Sequence, residues 1–191
     1  MKDFFGSLLF LQHTRLEYNS MEILRVSHQD APQYAETLVT IYRSLWLESM
    51  PSDELDITTG DIELHFNDFD DRAYAWKNRI LVQPNRALWT LESDENETVG
   101  FAVATREPGN YELDFLFILS AYQGRGYGRT LAERCLEWLG NDEPIRLGVA
   151  GHNSHAINLY EKLGFITCTE PRPNKVIAND KQIPWIEMIR P

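Results

Sequence analysis

A glycine-rich stretch two-thirds of the way along the chain decides the fold: Leu119-Ser120-Ala121-Tyr122-Gln123-Gly124-Arg125-Gly126-Tyr127-Gly128-Arg129-Thr130. An apolar run precedes it and apolar residues at helical spacing follow it, so the stretch joins a strand to a helix. Glycines let a backbone turn tightly and approach a ligand closely. The amides of such a turn, beside the positive end of the helix dipole, suit a pyrophosphate, and Arg125 and Arg129 add positive charge.

Three kinds of phosphate-binding loop can be compared with this stretch. A dinucleotide-binding fingerprint needs G-x-G-x-x-G early in the chain and an acidic residue about 20 positions later. The spacing here is G-x-G-x-G, and no acid stands near position 148. A P-loop needs G-x-x-x-x-G-K-[ST], but Gln123 takes its first position and Arg129 replaces the lysine. A third pattern, [QR]-x-x-G-x-[GA], is satisfied in full by Gln123, Gly126 and Gly128.

A second motif follows at residues 152–165 and matches N-x-x-A-x-x-x-Y-x-x-x-G-F from Asn153 to Phe165. In order and separation, the two motifs resemble those of the GNAT family of N-acetyltransferases, over about residues 21–190 and most closely over 111–165. The resemblance implies an α/β fold of the GNAT type, with a mixed, mostly antiparallel sheet of six to seven strands flanked by about four helices. It also implies acetyl-CoA as cosubstrate and no metal.

The resemblance assigns cofactor binding to the strand end, the loop and one asparagine. In the family, main-chain groups at the strand end hold pantetheine, and the loop amides hold the pyrophosphate. Asn153 corresponds to an asparagine near the pantetheine arm, with a plain helix N-cap as the alternative. The implied residues are Ile118, Ser120, Gln123, Gly124, Arg125, Gly126, Tyr127, Gly128, Arg129, Thr130 and Asn153.

Tyr160 matches the family tyrosine that protonates the departing thiolate. When an amine attacks a thioester, CoA leaves as a thiolate, and a phenol with a pKa of about 10 can donate a proton to it. The alternative interpretation is an aromatic core residue, because position 160 lies beside the apolar face of its helix.

Two carboxylates, Glu112 and Asp114, precede the loop on the same strand, about 6.6 Å apart by strand geometry. Strict alternation places them on one face with Leu116 and Ile118 and leaves the other face apolar: Tyr111, Leu113, Phe115, Phe117 and Leu119. By resemblance, Glu112 corresponds to a catalytic glutamate and Asp114 to a second acid. Charges on a half-exposed strand face are the alternative, and His152 and His155 are further candidates for the base.

Length and composition narrow the class of protein. The chain has 191 residues, of which 43% are hydrophobic, which suits one domain with a sizeable core. The net charge of −11 disfavours nucleic acid as a partner, and no apolar run reaches the roughly 20 residues of a membrane span. Cys135 and Cys168 form no disulfide or metal pattern, which predicts a cytoplasmic protein. The resemblance further implies a homodimer.

Residues 1–20 differ from the rest and are predicted to be an N-terminal extension outside the native domain, so the GNAT domain would comprise residues 21–191. Within it the predicted order of elements is β-α-α-β-β-β-α-β-α-β-β.

Nine acidic residues and no Lys or Arg lie between Glu48 and Asp71. The resemblance places this segment on the acceptor side of the cleft. Because a cleft of one sign attracts the opposite charge, the segment predicts a cationic acceptor: a polyamine, an aminoglycoside or a basic peptide. A solvated acidic surface is the alternative.

The sequence therefore predicts an acetyl-CoA-dependent N-acetyltransferase in which a primary amine attacks directly. A non-catalytic acyl-CoA-binding or sensor module is the alternative, against which Tyr160 and the acidic strand argue. A nucleotide-binding protein is a third reading, disfavoured by the missing P-loop lysine.

Overall fold

A computed structural model describes residues 21–168 and 174–191 as an α/β structure, and the predicted extension at 1–20 lies outside the described residues. Its nine strands are β1 Glu22–Val26, β2 Arg86–Glu92, β3 Thr98–Glu107, β4 Asn110–Ile118, β5 Ile145–Ala150, β6 Ile166–Thr167, β7 Lys175–Val176, β8 Gln182–Ile183 and β9 Trp185–Arg190. Seven strands form one sheet in the order β1-β2-β3-β4-β5-β9-β6, and β7 pairs with β8. Only β4 and β5 are parallel neighbours in the described sheet. The predicted mixed, mostly antiparallel sheet is confirmed.

Five α-helices occur in the described chain, one more than predicted: α1 Ala35–Ser49, α2 Thr59–His65, α3 Phe69–Ala75, α4 Tyr127–Leu139 and α5 Ser154–Lys162. A 3-10 turn over Ala31–Tyr34 precedes α1, and a π-helical turn over Trp76–Ile80 extends α3. From the sequence, the second helix of the predicted order is expected at about residues 71–81; in the structure α3 begins at Phe69 and its π-helical extension ends at Ile80.

Helix α2 lies in the acidic segment, for which the sequence predicts loop and a short helix. A reciprocal capping box starts it: the Thr58 hydroxyl accepts a hydrogen bond from the Asp61 amide, and the Asp61 carboxylate accepts one from the Thr58 amide at 2.8 Å. The two caps stabilise a helix too short to show a clear apolar period.

Both faces of the sheet are buried, so the core has two layers. One apolar cluster joins α1 to the sheet and includes Trp46 and Phe101. The other joins α4 to the sheet and includes Leu131 and Cys135. Cys135 is thus a core residue, which agrees with its predicted structural role.

A bulge in β4 corrects the predicted strand faces. Val103 pairs with Phe115 and Ala104 pairs with Leu113, so Asp114 is an extra residue opposite β3. An extra residue shifts the side-chain alternation that follows it. Phe115 therefore packs in the α1 cluster, whereas Leu113 packs in the α4 cluster. The predicted membership of the two faces is therefore wrong beyond Asp114: Leu116 and Ile118 pack toward α4 with Leu113, whereas Phe115 and Phe117 pack toward α1.

Strands β4 and β5 are joined only at their starts. The register contains two pairs, Tyr111 with Ile145 and Glu112 with Arg146. Beyond them each strand continues without pairing to the other in the described sheet, and a gap separates the two. This gap lies at the same end of β4 as the glycine-rich loop.

The β7–β8 hairpin was not predicted, and the described structure ties it firmly to α2. The Lys181 ammonium contacts the Asp61 carboxylate at 3.0 Å, and the Asn179 side-chain amide donates to the same carboxylate at 2.8 Å. Ile183 is fully buried in the α1 cluster. The hairpin is therefore a fixed wall of the domain.

Gly100 in β3 is required by close approach to β4. A Cβ there would lie 2.9 Å from both Ile118 Cγ1 and the Phe117 carbonyl oxygen.

We expect Gly100→Ala to lower the free energy of unfolding by about 1–3 kcal/mol, as overpacking does. Gly60→Ala is the matched control, because in helix α2 its Cβ would meet nothing nearer than Thr58 Oγ1 at 3.7 Å. It should stabilise the protein by about 0.4–1 kcal/mol. Urea unfolding measures both, and equal effects would contradict the packing argument.

Candidate active site

Two connected cavities lie at the end of β4. The first, of about 460 Å³, is lined by the glycine-rich loop, the end of α1 and the start of α5, and is called here the loop cavity. The second, of about 110 Å³, lies in the gap between β4 and β5 and is called the strand cavity. Both are lined by the same six residues: Met50, Leu116, Phe117, Asn153, Ala156 and Tyr160. A ligand in one cavity can therefore meet a ligand in the other.

The loop presents its backbone toward the loop cavity. Gly124 and Gly126 have φ values of +75° and +90°, which side chains other than glycine rarely adopt. Gly126 is the N-cap of α4, and the first hydrogen bond of the helix joins the Thr130 amide to the Gly126 carbonyl at 3.1 Å. The amides of residues 127–129 precede that bond and have no acceptor within the helix. Together with the helix dipole, they suit a diphosphate.

The two loop arginines are exposed at the rim. Arg125 donates to the Ala121 carbonyl at 3.3 Å, and Arg129 donates to the Glu133 carboxylate at 2.8 Å. Since Glu133 offsets the charge of Arg129, Arg125 is the stronger source of positive potential beside the loop.

Side chains fasten the loop to its neighbours. The Gln123 side-chain amide donates to the Ile118 carbonyl at 2.7 Å, which holds the loop against the end of β4. The Ser120 hydroxyl donates to the Glu48 carboxylate at the end of α1. A Cβ on Gly128 would lie 3.6 Å from Ile118 Cδ1, so glycine also permits close helix–strand packing there.

Asn153 and Tyr160 have structural roles as well as positions in the site. The Asn153 side-chain oxygen accepts a hydrogen bond from the Ala156 amide at 3.0 Å, so the helix-cap interpretation is correct. Tyr160 is only 8% exposed and packs edge-on against Phe165. Burial raises the pKa of the Tyr160 phenol, which is therefore protonated at neutral pH. Both side chains line both cavities.

Asp114 lies in the wall of the strand cavity. The Thr105 hydroxyl donates to its carboxylate at 2.7 Å, and Arg86 Nη2 lies 3.8 Å away. Burial raises the pKa of Asp114 to about 6, against the opposing effects of Thr105 and Arg86. This carboxyl group can therefore exchange a proton close to neutral pH.

Glu112 lies apart from Asp114 although only one residue separates them. It sits where β4 and β5 still pair, opposite Arg146 in the register, and it lines neither cavity. His155 lines the loop cavity, and the His152 ring lies 3.2 Å from the Ser49 carbonyl oxygen. Of the two predicted strand carboxylates, the structure thus brings only Asp114 to the gap.

None of the carboxylates of the acidic segment lines the strand cavity, although Met50 of that segment does, so this cavity lacks the segment's negative charge, on which the prediction of a cationic acceptor depends. Of the segment's nine carboxylates, only Glu48 borders either cavity, and it binds Ser120. Asp61 is buried in contact with Thr58 and Lys181, and Asp68 pairs with Arg72 at 2.6 Å. Asp61 therefore caps helix α2 and anchors the β7–β8 hairpin.

Sequence reasoning missed a caged lysine in the strand cavity. Lys175 Nζ lies 4.5 Å from the Trp46 ring centroid, 5.1 Å from that of Trp185 and 5.9 Å from that of Tyr42. It also donates to the Tyr42 hydroxyl at 3.2 Å. Tyr42 and Lys175 are 133 residues apart in the chain, so no local pattern reveals the contact.

Comparison with known proteins decides the family. The sequence model of the acetyltransferase (GNAT) family matches residues 39–165. This chain belongs to the GNAT family. The match covers the end of β4, the glycine-rich loop and Tyr160, so it includes the residues that line both cavities except Lys175 and Trp185.

The individual relatives share only 20–32% sequence identity with this chain. The peptidyl-lysine N-acetyltransferase YjaB of Salmonella typhimurium is 32% identical over 102 residues, which are 52% of this chain and 66% of that protein. The Escherichia coli ribosomal-protein-S18-alanine N-acetyltransferase has a TM-score of 0.59 at 20% identity, over 90% of this chain and 94% of its own. YncA of Salmonella typhimurium, solved with its cofactor acetyl-CoA, also has a TM-score of 0.59 at 20% identity, over 89% of this chain and 92% of its own. The two structures support the fold.

Residues 21–168 and 174–191 contain no helix that is long and apolar enough to cross a membrane. They also contain no group of three or more His, Cys, Asp or Glu side chains arranged to hold a metal ion.

The loop geometry generates a binding prediction. Gly126→Glu would place a carboxylate at the α4 N-terminus, and we expect the affinity for acetyl-CoA to fall about tenfold or more, because that position should receive a diphosphate. Isothermal titration calorimetry measures the affinity. Gly109→Glu is the matched control, since Gly109 also has a positive φ (+81°) and open space around it, but lies in the β3–β4 turn. Unchanged affinity in Gly126→Glu, or an equal loss in both variants, would contradict the assignment.

Proposed function

We propose that this protein transfers the acetyl group of acetyl-CoA to a primary amine. The observation that carries the proposal is the position of Tyr160, a protonated phenol at the junction of the loop cavity and the strand cavity. Membership of the GNAT family supports it. So do the name of the relative YjaB, a peptidyl-lysine N-acetyltransferase, and the acetyl-CoA in the YncA structure.

The loop cavity fits acetyl-CoA, whose thioester supplies the activated acetyl group. The amides of residues 127–129 would bind the diphosphate, and Arg125 would add positive charge at the rim. The end of β4 and Asn153 line the path from the loop toward the gap. Main-chain groups of Ile118 and Ser120 would hold the pantetheine arm there. This arrangement directs the thioester toward Tyr160.

The strand cavity would hold the amine. The amine lone pair attacks the thioester carbonyl, the C–S bond breaks, and the Tyr160 hydroxyl donates its proton to the departing sulfur. Asp114 would accept the proton that the amine loses, because it is the carboxylate that lines this cavity and its pKa is about 6. We therefore favour Asp114 as the base over Glu112, the residue that corresponds by resemblance to the catalytic glutamate of the family.

The structure offers less support for a polycationic acceptor than the charge of the acidic segment predicts. The acidic segment binds Ser120, Lys181 and Arg72 or faces solvent, and the strand cavity contains Lys175 instead. The proposal is accordingly limited to a primary amine. Free-thiol release from acetyl-CoA, measured over a panel of polyamines, amino acids, aminoglycosides and peptides, tests it. Acetyl-CoA binding without thiol release on any amine would instead indicate a non-catalytic binding module.

Tyr160→Phe tests the general acid. Phenylalanine keeps the packing against Phe165 but cannot donate a proton. We expect kcat to fall about 10²- to 10⁴-fold, as the loss of a general acid typically does, while acetyl-CoA affinity stays unchanged. Steady-state kinetics and calorimetry measure the two quantities. A kcat within about twofold of the native value would show that water protonates the thiolate.

The pH dependence of kcat/KM tests the base. The pKa of Asp114 is raised to about 6, so its carboxyl group is ionised above that pH and protonated below it. Because only the ionised form can accept a proton from the amine, kcat/KM should fall as the pH drops through about 6. Asp114→Asn should lower kcat/KM and remove this inflection. Glu112→Gln, which makes the same charge change outside both cavities, should keep it. If the inflection instead survived in Asp114→Asn and disappeared in Glu112→Gln, Glu112 would be the general base.

A further inference from the structure

The strand cavity is lined by two charged side chains on different walls. Asp114 belongs to β4, and Lys175 belongs to β7. The rest of the described lining is apolar or uncharged. The charge preference of whatever enters the cavity therefore depends mainly on these two groups, because interactions in a partly desolvated site are stronger than those at the surface.

The two charges differ in how far the protein compensates them. The Asp114 carboxylate accepts a hydrogen bond from Thr105 and lies near the Arg86 guanidinium. Lys175 contacts three aromatic rings and the Tyr42 hydroxyl, and no carboxylate of residues 21–168 or 174–191 lies within ion-pair distance of it. An ammonium has three hydrogens to donate, and Tyr42 accepts one of them. Two remain for a ligand in the cavity.

The position of Lys175 is fixed by its hairpin. Its backbone pairs with Ile183, whose side chain is fully buried, and Lys181 on the same hairpin is bound to Asp61. The Trp46 and Trp185 rings hold the side chain itself. The ammonium is therefore a preorganised part of the cavity wall, and it does not need to be ordered when a ligand binds.

Among residues 21–168 and 174–191, the charged side chain that acts most directly on Lys175 is positive. Arg72 carries a positive charge close enough to contribute to the lowered pKa of Lys175, which burial and Arg72 together bring to about 8. At neutral pH the ammonium is still mostly charged. His65, stacked on Trp46, has a pKa lowered to about 4 by burial and is neutral. A polycation placed here would meet like charge.

We propose that Lys175 binds an anionic group of the acceptor, so that the preferred acceptor is a primary amine that also carries a carboxylate or a similar oxyanion. The inference rests on the proposed function, since it assigns the substrate class of the same site. The amine would face Tyr160 and Asp114, and the oxyanion would accept hydrogen bonds from the Lys175 ammonium across the cavity.

The test uses matched pairs of acceptors that differ only in charge. Each anionic amine, such as an α-amino acid, an ω-amino acid or an aminoalkylphosphonate, is compared with a neutral amide or ester of the same skeleton. We expect the native protein to favour the best anionic amine by about tenfold or more in kcat/KM, the effect typical of a charged hydrogen bond. Lys175→Gln should abolish the preference, and Lys175→Arg should retain part of it.

Lys162→Gln is the matched control, because it makes the same charge change on the exposed end of α5 and should keep the preference. Thermal shifts with acetyl-CoA verify that each variant is folded. Equal kcat/KM for the anionic and neutral partners, a preference that survives Lys175→Gln, or a polyamine as the best acceptor would overturn the inference. In all three cases acetyl transfer still occurs, so the proposed function stands. Acetyl-CoA binding without transfer to any amine would instead overturn the proposed function, and this inference with it.

Discussion

The parallel pairing between β4 and β5 ends after two residue pairs, and the site depends on that ending. Where two strands separate, the backbone groups that faced each other need new partners. The Gln123 side chain supplies one by donating to the Ile118 carbonyl. The rest of the gap becomes the strand cavity, bounded by β4 on one side and by Ala150 and Trp185 on the other. A sheet that stayed paired along its whole length would leave no passage between the two cavities.

The same gap explains how a structural role and the proposed functional role can coincide in one residue. Asn153 begins α5 by capping it, and this cap places the helix against the open end of the gap. Tyr160 lies on the buried face of that helix and packs on Phe165, so its hydroxyl position is set by the core. The interpretation of Tyr160 as a core residue is therefore compatible with the catalytic role that we propose for it. A rigid core contact would hold the hydroxyl in place for proton donation.

Local signals in the sequence predicted the parts of the fold that local interactions determine. The glycine-rich loop, the start of α4 and the β2–β3 hairpin lie where the sequence places them, because turn chemistry and apolar spacing act over a few residues. The bulge at Asp114 could not be predicted in this way, since it exists only in relation to the register of β3. Lys175 was missed for a similar reason, because its cage is built from α1 and β9.

The charge of the whole chain and the charge of the cavity act at different distances. A net charge of −11 produces a long-range field, but salt screens that field beyond about 8–10 Å, and Asp61 and Asp68 of the acidic segment are already paired with Lys181 and Arg72. Inside the strand cavity the low dielectric strengthens each nearby charge, so one ammonium in van der Waals reach of a ligand outweighs several carboxylates on the surface. The net charge of the chain indicates which molecules are attracted toward the protein from a distance. The position of Lys175 is set by contacts with residues more than a hundred positions away in the sequence, and it indicates which molecules can bind in the cavity.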